Sequence, residues 1–257
     1  MNNLPNPFPG PISFAQMTTT LQIAPGTQSP KQFKAKKAGT KGCLLFLVVD
    51  ESGSMSDLTK DTIGGINTLI EDQAKDSIQT NLTIVKFEGG RINIPVDNVN
   101  VKEIHNFSDY RPLGMTNLLD AVGETITKIN GILSSKKKED RPSVIVQIIT
   151  DGGENASRKF SRQQIKDMVK ACEAADWIIG YVGANVDAFT ESAGLGVSGF
   201  AASGYNAGST ESMYVAVSSA ANRMKSMRGM GMNYADIQAS VGSLYNEKEV
   251  ATMNGDK

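Results

Sequence analysis

The chain has 257 residues, 40% of them hydrophobic and 21% charged, and 26 Lys and Arg against 27 Asp and Glu leave a net charge of −1. That balance excludes bulk electrostatic capture of nucleic acid or anionic lipid, and the length suits one α/β domain with extensions or two small domains. Two cysteines, Cys43 and Cys172, are too few for a disulfide framework or a structural zinc site and read as buried thiols.

Residues 1–41 differ from the rest. Four prolines fall within the first eleven residues, lysines gather at 31, 34, 36, 37 and 41, and no helical period persists. This reads as an extended, Pro-rich, basic arm, either a plain linker or a segment laid along a neighbour and anchored by Phe8, Phe14 and Leu21. Met1 to Pro9 lacks the charged and apolar regions of a secretory signal, and the longest apolar runs are strand-sized, so no membrane span is expected.

From Leu44 the pattern alternates strand and helix. Leu44–Val49 is wholly apolar, as a central parallel strand covered on both faces must be. A helix is predicted over 57–76, with Ile63, Ile66 and Ile70 on one face. Strands at 82–87 and 91–96 flank Glu88-Gly89-Gly90 and read as an antiparallel hairpin. Leu119, Val122, Ile126, Ile129 and Leu133 mark a second helix, and 143–149 another central strand. Ser161 with Gln164 forms a capping box before a helix carrying Ile165, Val169 and Cys172. A strand at 177–182, a helix near 186–192, a short strand around 197–202 and a long helix over 210–227 complete the pattern. Residues 229–257 are polar and weakly patterned and read as a C-terminal extension, which leaves 42–228 as the domain. Alternating β and α units imply an α/β, Rossmann-like three-layer sandwich, with a mostly parallel sheet between helices on both faces.

Ligands of such sheets bind beyond the carboxyl ends of the strands. There the chain carries oxygen donors in three places. The first strand ends in Asp50-Glu51-Ser52-Gly53-Ser54, the loop before the second helix holds Gly114-Met115-Thr116-Asn117, and the second central strand ends in Thr150-Asp151-Gly152-Gly153. Asp50, Ser52, Ser54, Thr116 and Asp151 offer two carboxylates and three hydroxyls, hard donors that with water suit an octahedral Mg²⁺. Asp50 is expected at a strand end facing solvent, and Glu51 and Arg111 are read as solvated flanking charges. No nucleophile–base pair accompanies the set, and the lone His105 in a polar loop suits no zinc chemistry. Gly194-x-Gly196-x-x-Gly199 neither follows a central strand nor opens a helix, so it reads as turns rather than a dinucleotide loop.

These three segments, in this order and at these boundaries, resemble the von Willebrand factor A (vWA) family over roughly residues 42–228. The resemblance implies a metal ion-dependent adhesion site holding Mg²⁺ or Mn²⁺. Ser52 and Ser54 would ligate directly, Asp50 and Asp151 directly or through water, and Thr116 when a ligand is bound. It also implies a non-enzymatic module whose ion receives an Asp or Glu from a protein partner. The sequence most resembles stand-alone vWA proteins of bacteria and their phages, so a cytoplasmic location is expected. The alternative is a structural component of a larger assembly such as a phage virion, with the vWA domain as scaffold and the arm making contacts.

Overall fold

The structure, a computed structural model, describes residues 41–184 and 187–256. The arm read over 1–41 therefore lies outside the described residues, apart from Lys41. Six strands form one sheet: β1 Cys43–Asp50, β2 Thr80–Glu88, β3 Arg91–Asn100, β4 Ser143–Thr150, β5 Ile178–Ala184 and β6 Ala202–Tyr205. The order is β3-β2-β1-β4-β5-β6, and every pairing is parallel except β2 with β3. β1 lies in the middle and is buried along its whole length. This is the physical reason its sequence is an unbroken apolar run.

The helices are α1 Thr59–Lys75, α2 Leu118–Ser134, α3 Arg162–Ala174, α4 Ala188–Leu195, α5 Thr210–Gly229, α6 Tyr234–Val241 and α7 Glu247–Asn254. Right-handed crossovers place them. From β1 the chain crosses through α1 to β2 on one side, and later crossovers run through α2, α3 and α4 towards β6 on the other. The reversal of direction sends α1 to one face and α2–α4 to the opposite face. Accordingly α1 packs on α5 and α5 on α7, while α2 packs on α3 and α3 on α4. The protein is an α/β three-layer sandwich of Rossmann-like order. The direction reverses between β1 and β4, which opens a crevice beyond their carboxyl ends. No helix among the described residues is long and apolar enough to cross a membrane.

Local structure departs from the sequence reading in two places and agrees with it at the glycine motif. A tight 3₁₀ turn over Gly53–Leu58 precedes α1, so the first helix starts at Thr59. The strand expected near 197–202 begins only at Ala202, after a 3₁₀ turn at Gly199–Ala201. Gly196 ends α4 in the left-handed conformation, φ 83°, so the glycine motif is a helix terminus. Ser161 and Gln164 form the expected capping box, and both cysteines are buried.

The larger departure is at the C-terminus. The segment read as an extension beyond residue 228 folds back as α6 and α7 and buries Ile237, Leu244, Tyr245 and Met253. The Tyr245 hydroxyl donates to Gln147 Oε1 at 2.6 Å, reaching a buried amide in the middle of β4. Gly180 of β5 makes room for this pair, because a Cβ there would lie 2.4 Å from Gln147 Oε1 and 3.0 Å from Tyr245 Oη. Arg223 of α5 fixes α7 with two bonds of 2.8 Å to the Glu249 carboxylate. The segment closes the core with a few large side chains widely spaced in polar sequence, a pattern too sparse for periodicity to reveal.

Removing one of those side chains should therefore destabilise the whole domain. Tyr245→Ala is expected to cost about 3–5 kcal/mol, the range for deleting a buried aromatic. Tyr245→Phe should cost about 1–3 kcal/mol by leaving Gln147 unpaired. Denaturant unfolding of both variants measures this, and a loss below about 1 kcal/mol for Tyr245→Ala would show that the segment is peripheral.

Candidate metal centre

The site follows from strand register. β1 and β4 pair in parallel with Val49 opposite Ile149, so the next residues, Asp50 and Thr150, end the two strands side by side. Thr150 Oγ1 donates to Asp50 Oδ2 at 2.5 Å. After Asp50 the chain turns sharply, and the Ser52 N–H donates to Asp50 Oδ1 at 2.8 Å. That turn, characteristic of Asp before a small polar residue, swings the serines over the strand end. Ser52 Oγ and Ser54 Oγ then lie 3.1 Å apart, and Ser54 Oγ donates to Asp151 Oδ1 at 2.6 Å. Thr116 arrives from the loop before α2. A Cβ built on Gly152 would sit 3.4 Å from Thr116 Oγ1 and 3.8 Å from Ser54 Oγ, so Gly152 leaves open the space between those hydroxyls. Asp50, Ser52, Ser54, Thr116 and Asp151 thus gather at the crevice between β1 and β4.

Asp50 is wholly buried, not solvent-facing as its strand-end position suggested. Burial pushes its carboxyl up to about 6, against the pull of the Thr150 and Ser52 hydrogen bonds and with a further push from Asp151. Burial also raises the Asp151 carboxyl, while Ser54 holds it down. Two carboxylates drawn together out of water favour a cation between them. The donor set fits a hard divalent ion: oxygen throughout, two anionic groups, three hydroxyls, and no soft ligand. Among the described residues no three His, Cys, Asp or Glu side chains gather around a metal position. Hydroxyls make up the majority of the donors here.

Several residues that hold the centre in place escaped the sequence reading. Glu51 is buried rather than solvated. Its carboxylate pairs with the equally buried Lys86 at 2.8 Å, and the same oxygen accepts the Arg111 N–H at 2.6 Å. The Glu51 backbone joins in, with its N–H donating to Phe87 O and its carbonyl accepting from Leu113 N. One residue thereby ties the serine loop to β2 and to the loop that carries Thr116. The Tyr110 hydroxyl donates to Asp50 O, and the Gly53 N–H donates to Gly114 O. Arg111 is exposed, as expected, and so is His105.

The third segment is fixed with equal economy. Thr116 O accepts the N–H groups of Asn155 and Ala156, and Thr116 N donates to Asn155 Oδ1. Asn117 gives α2 no side-chain cap, and Glu154 supplies a carboxylate instead, accepting from Leu119 N at 2.9 Å. Asp120, buried in the first turn of α2, accepts from the backbone N–H groups of Arg158, Lys159 and Phe160. Two signals for this framework were in the sequence. Lys86 stands alone in the apolar strand Leu82–Phe87, and Asp120 interrupts the apolar start of α2.

No family model matches the chain, and no curated protein does. Solved structures do. The manganese-loaded TRAP protein of Plasmodium vivax is 19% identical, over 56% of this chain and 57% of that one, at a TM-score of 0.40. Proximal thread matrix protein 1 from the mussel byssus is 13% identical, over 72% of this chain and 47% of that one, at a TM-score of 0.48. The chain spans about half the length of these two structures.

The Glu51–Lys86 pair should be costly to break from one side. Glu51→Ala leaves the Lys86 ammonium, 3% exposed, without its buried partner, and is expected to destabilise by about 3–5 kcal/mol. Equilibrium denaturation decides. An effect under about 1 kcal/mol, the size of an exposed ion pair, would mean that Lys86 finds water or Asp109 instead.

Proposed function

We propose that this chain is a vWA-type, non-enzymatic binding module. In this reading Asp50, Ser52, Ser54, Thr116 and Asp151 hold a Mg²⁺ or Mn²⁺ ion, and a protein partner completes its coordination with an Asp or Glu carboxylate. The observation that carries the reading is the convergence of hydroxyls and carboxylates from three separate segments on one crevice, with the Ser54–Asp151 hydrogen bond of 2.6 Å joining the first segment to the last. A helix cap or a turn would account for Asp50 and Ser52 alone and would leave Thr116 and Asp151 without a role. The ion supplies a Lewis-acidic docking point, and hydroxyl ligands leave more charge on it than carboxylates do. Binding is favoured over catalysis because the serine hydroxyls are turned towards each other and towards Asp151, a carboxylate that this reading assigns to the ion and not to proton abstraction.

A metal that binds only the folded protein stabilises it by mass action, by about 2.7 kcal/mol at a hundredfold excess over Kd. Thermal melting should accordingly shift upward with added Mg²⁺ or Mn²⁺, and EDTA should reverse the shift. Asp151→Ala should abolish it while leaving the metal-free melt close to that of the parent chain, because Asp151 follows β4 and its side chain accepts from the exposed Ser54. Asp50→Asn is the better probe at the buried position, since it removes the charge and keeps the shape. Calorimetric titration showing no Mg²⁺ or Mn²⁺ binding to the parent chain would sink the assignment.

Thr116→Ala tests how the hydroxyl is used. If Thr116 joins the ion mainly when a partner is present, partner affinity falls by more than metal affinity. Equal losses in the two, measured by metal titration and by pull-down with and without EDTA, would refute that role.

A further inference from the structure

A cleft of about 360 Å³ adjoins the centre, lined by Gly89 and Gly90 at the β2–β3 turn, by Met115, and by Asn155, Ser157 and Arg158. It is continuous with the candidate ligand loop. The Gly89 N–H donates to Met115 O at 2.7 Å, and the Asn155 and Ala156 N–H groups donate to Thr116 O at 3.0 Å. Both walls are thus hydrogen-bonded to the residues that carry the Thr116 hydroxyl, and the two glycines leave one wall as bare backbone.

The chemistry of the rim is specific. Leu113 is 66% exposed and Met115 55%, on the same short loop, a cost the surface bears when the side chains serve an interface. Nearby cations are mostly paired: Arg91 with Glu88, Lys159 with Glu124 and Arg162 with Glu191. The guanidinium groups of Arg158 in the cleft and of Arg111 on the other side of Leu113 have no carboxylate partner among the described residues. Asn155 spends its carbonyl oxygen on Thr116 N and leaves its amide hydrogens for an acceptor. Donors and a cation line the cleft together with the exposed side chain of Met115, and Leu113 stands on the same loop as Met115.

The geometry points to an acidic, partly apolar peptide segment of a partner protein as the occupant. One carboxylate sits on the ion, a neighbouring apolar side chain covers Leu113 and Met115, and a second carboxylate enters the cleft to meet Arg158 and the Asn155 amide. This rests on the reading of the centre as a cation-dependent docking point. It adds what would select one acidic partner over another, since an ion alone accepts any carboxylate.

Short synthetic peptides with a central Asp and randomised flanks, arrayed and probed with the full chain in Mg²⁺ or in EDTA, test it. Peptides captured only in Mg²⁺ are expected to be enriched in a second Asp or Glu and in an adjacent apolar residue. For the best of them, Arg158→Glu and Met115→Ser should each raise Kd about tenfold or more, with Mg²⁺ affinity moving less than about twofold. Capture that persists in EDTA, or unchanged peptide affinity in both variants while Mg²⁺ still binds, overturns this inference and leaves the metal assignment standing. Absence of Mg²⁺ and Mn²⁺ binding to the parent chain overturns the metal assignment and this inference with it.

Discussion

Asp50 and Asp151 end up together because β1 and β4 are neighbours in register; burial disfavours the charge on each, and Asp151 adds a smaller repulsion at Asp50. Most of the surrounding structure answers that constraint. Thr150 and the Ser52 N–H donate to one carboxylate and Ser54 donates to the other. Even so, burial leaves both carboxyls above their usual range. Polar contacts among neutral groups offset part of this cost, and a divalent cation offsets it far more strongly. The serine and threonine hydroxyls suit both situations. Ser54 donates to the Asp151 carboxylate, and hydroxyl lone pairs are also donors of the kind that a hard cation accepts.

The second requirement is positional. Three loops meeting at one point keep their geometry only if each is anchored, and loops anchor poorly by themselves. Glu51 meets the requirement by burying its charge against Lys86 and spending its remaining hydrogen-bonding capacity on the Thr116 loop. A buried ion pair is weak evidence of net stability, because desolvation consumes much of the attraction. Its value here is specificity of placement: Glu51 is the buried partner of Lys86, whose other carboxylate, Asp109 at 3.3 Å, is half-exposed. Glu154 and Asp120 do the same for the 152–160 loop, accepting backbone N–H groups that no regular ladder reaches.

Much of this architecture was legible in the sequence. Strand and helix order followed from the alternation of short apolar runs with 3.6-residue periods, since a central parallel strand and an amphipathic helix bury different patterns. The five donors were legible because each sits at a boundary that the topology brings to one edge. What stayed hidden depends on side chains acting across long separations. Glu51 reads as a surface charge until Lys86, 35 positions later, is known to face it. Asp50 reads as exposed because it ends a strand, yet the serine loop folds over it and seals it from water. The C-terminal helices were missed because Leu244, Tyr245 and Met253 bury large areas without forming a periodic face.

The division of labour between strands and loops bears on which parts of this site can vary without loss of the fold. Asp50 and Thr150 are strand residues, held by the sheet ladder, and their positions are as rigid as the core. Thr116, Asn155 and Met115 are loop residues, joined mainly to one another: Thr116 O collects two N–H donors from the 155–156 segment, and Met115 O collects one from the hairpin turn. The Met115 loop is tied to the serine loop at two points, by the Gly53 N–H on Gly114 O and the Leu113 N–H on Glu51 O. Leu113, Met115 and Arg158 have exposed side chains outside the core cluster, so substitution there removes no core contact. Lys86 and Glu51 are buried against each other, and buried Asp50 is held by Thr150 and the Ser52 N–H, so a substitution at any of the three leaves a buried charge or hydrogen-bonding group unpaired.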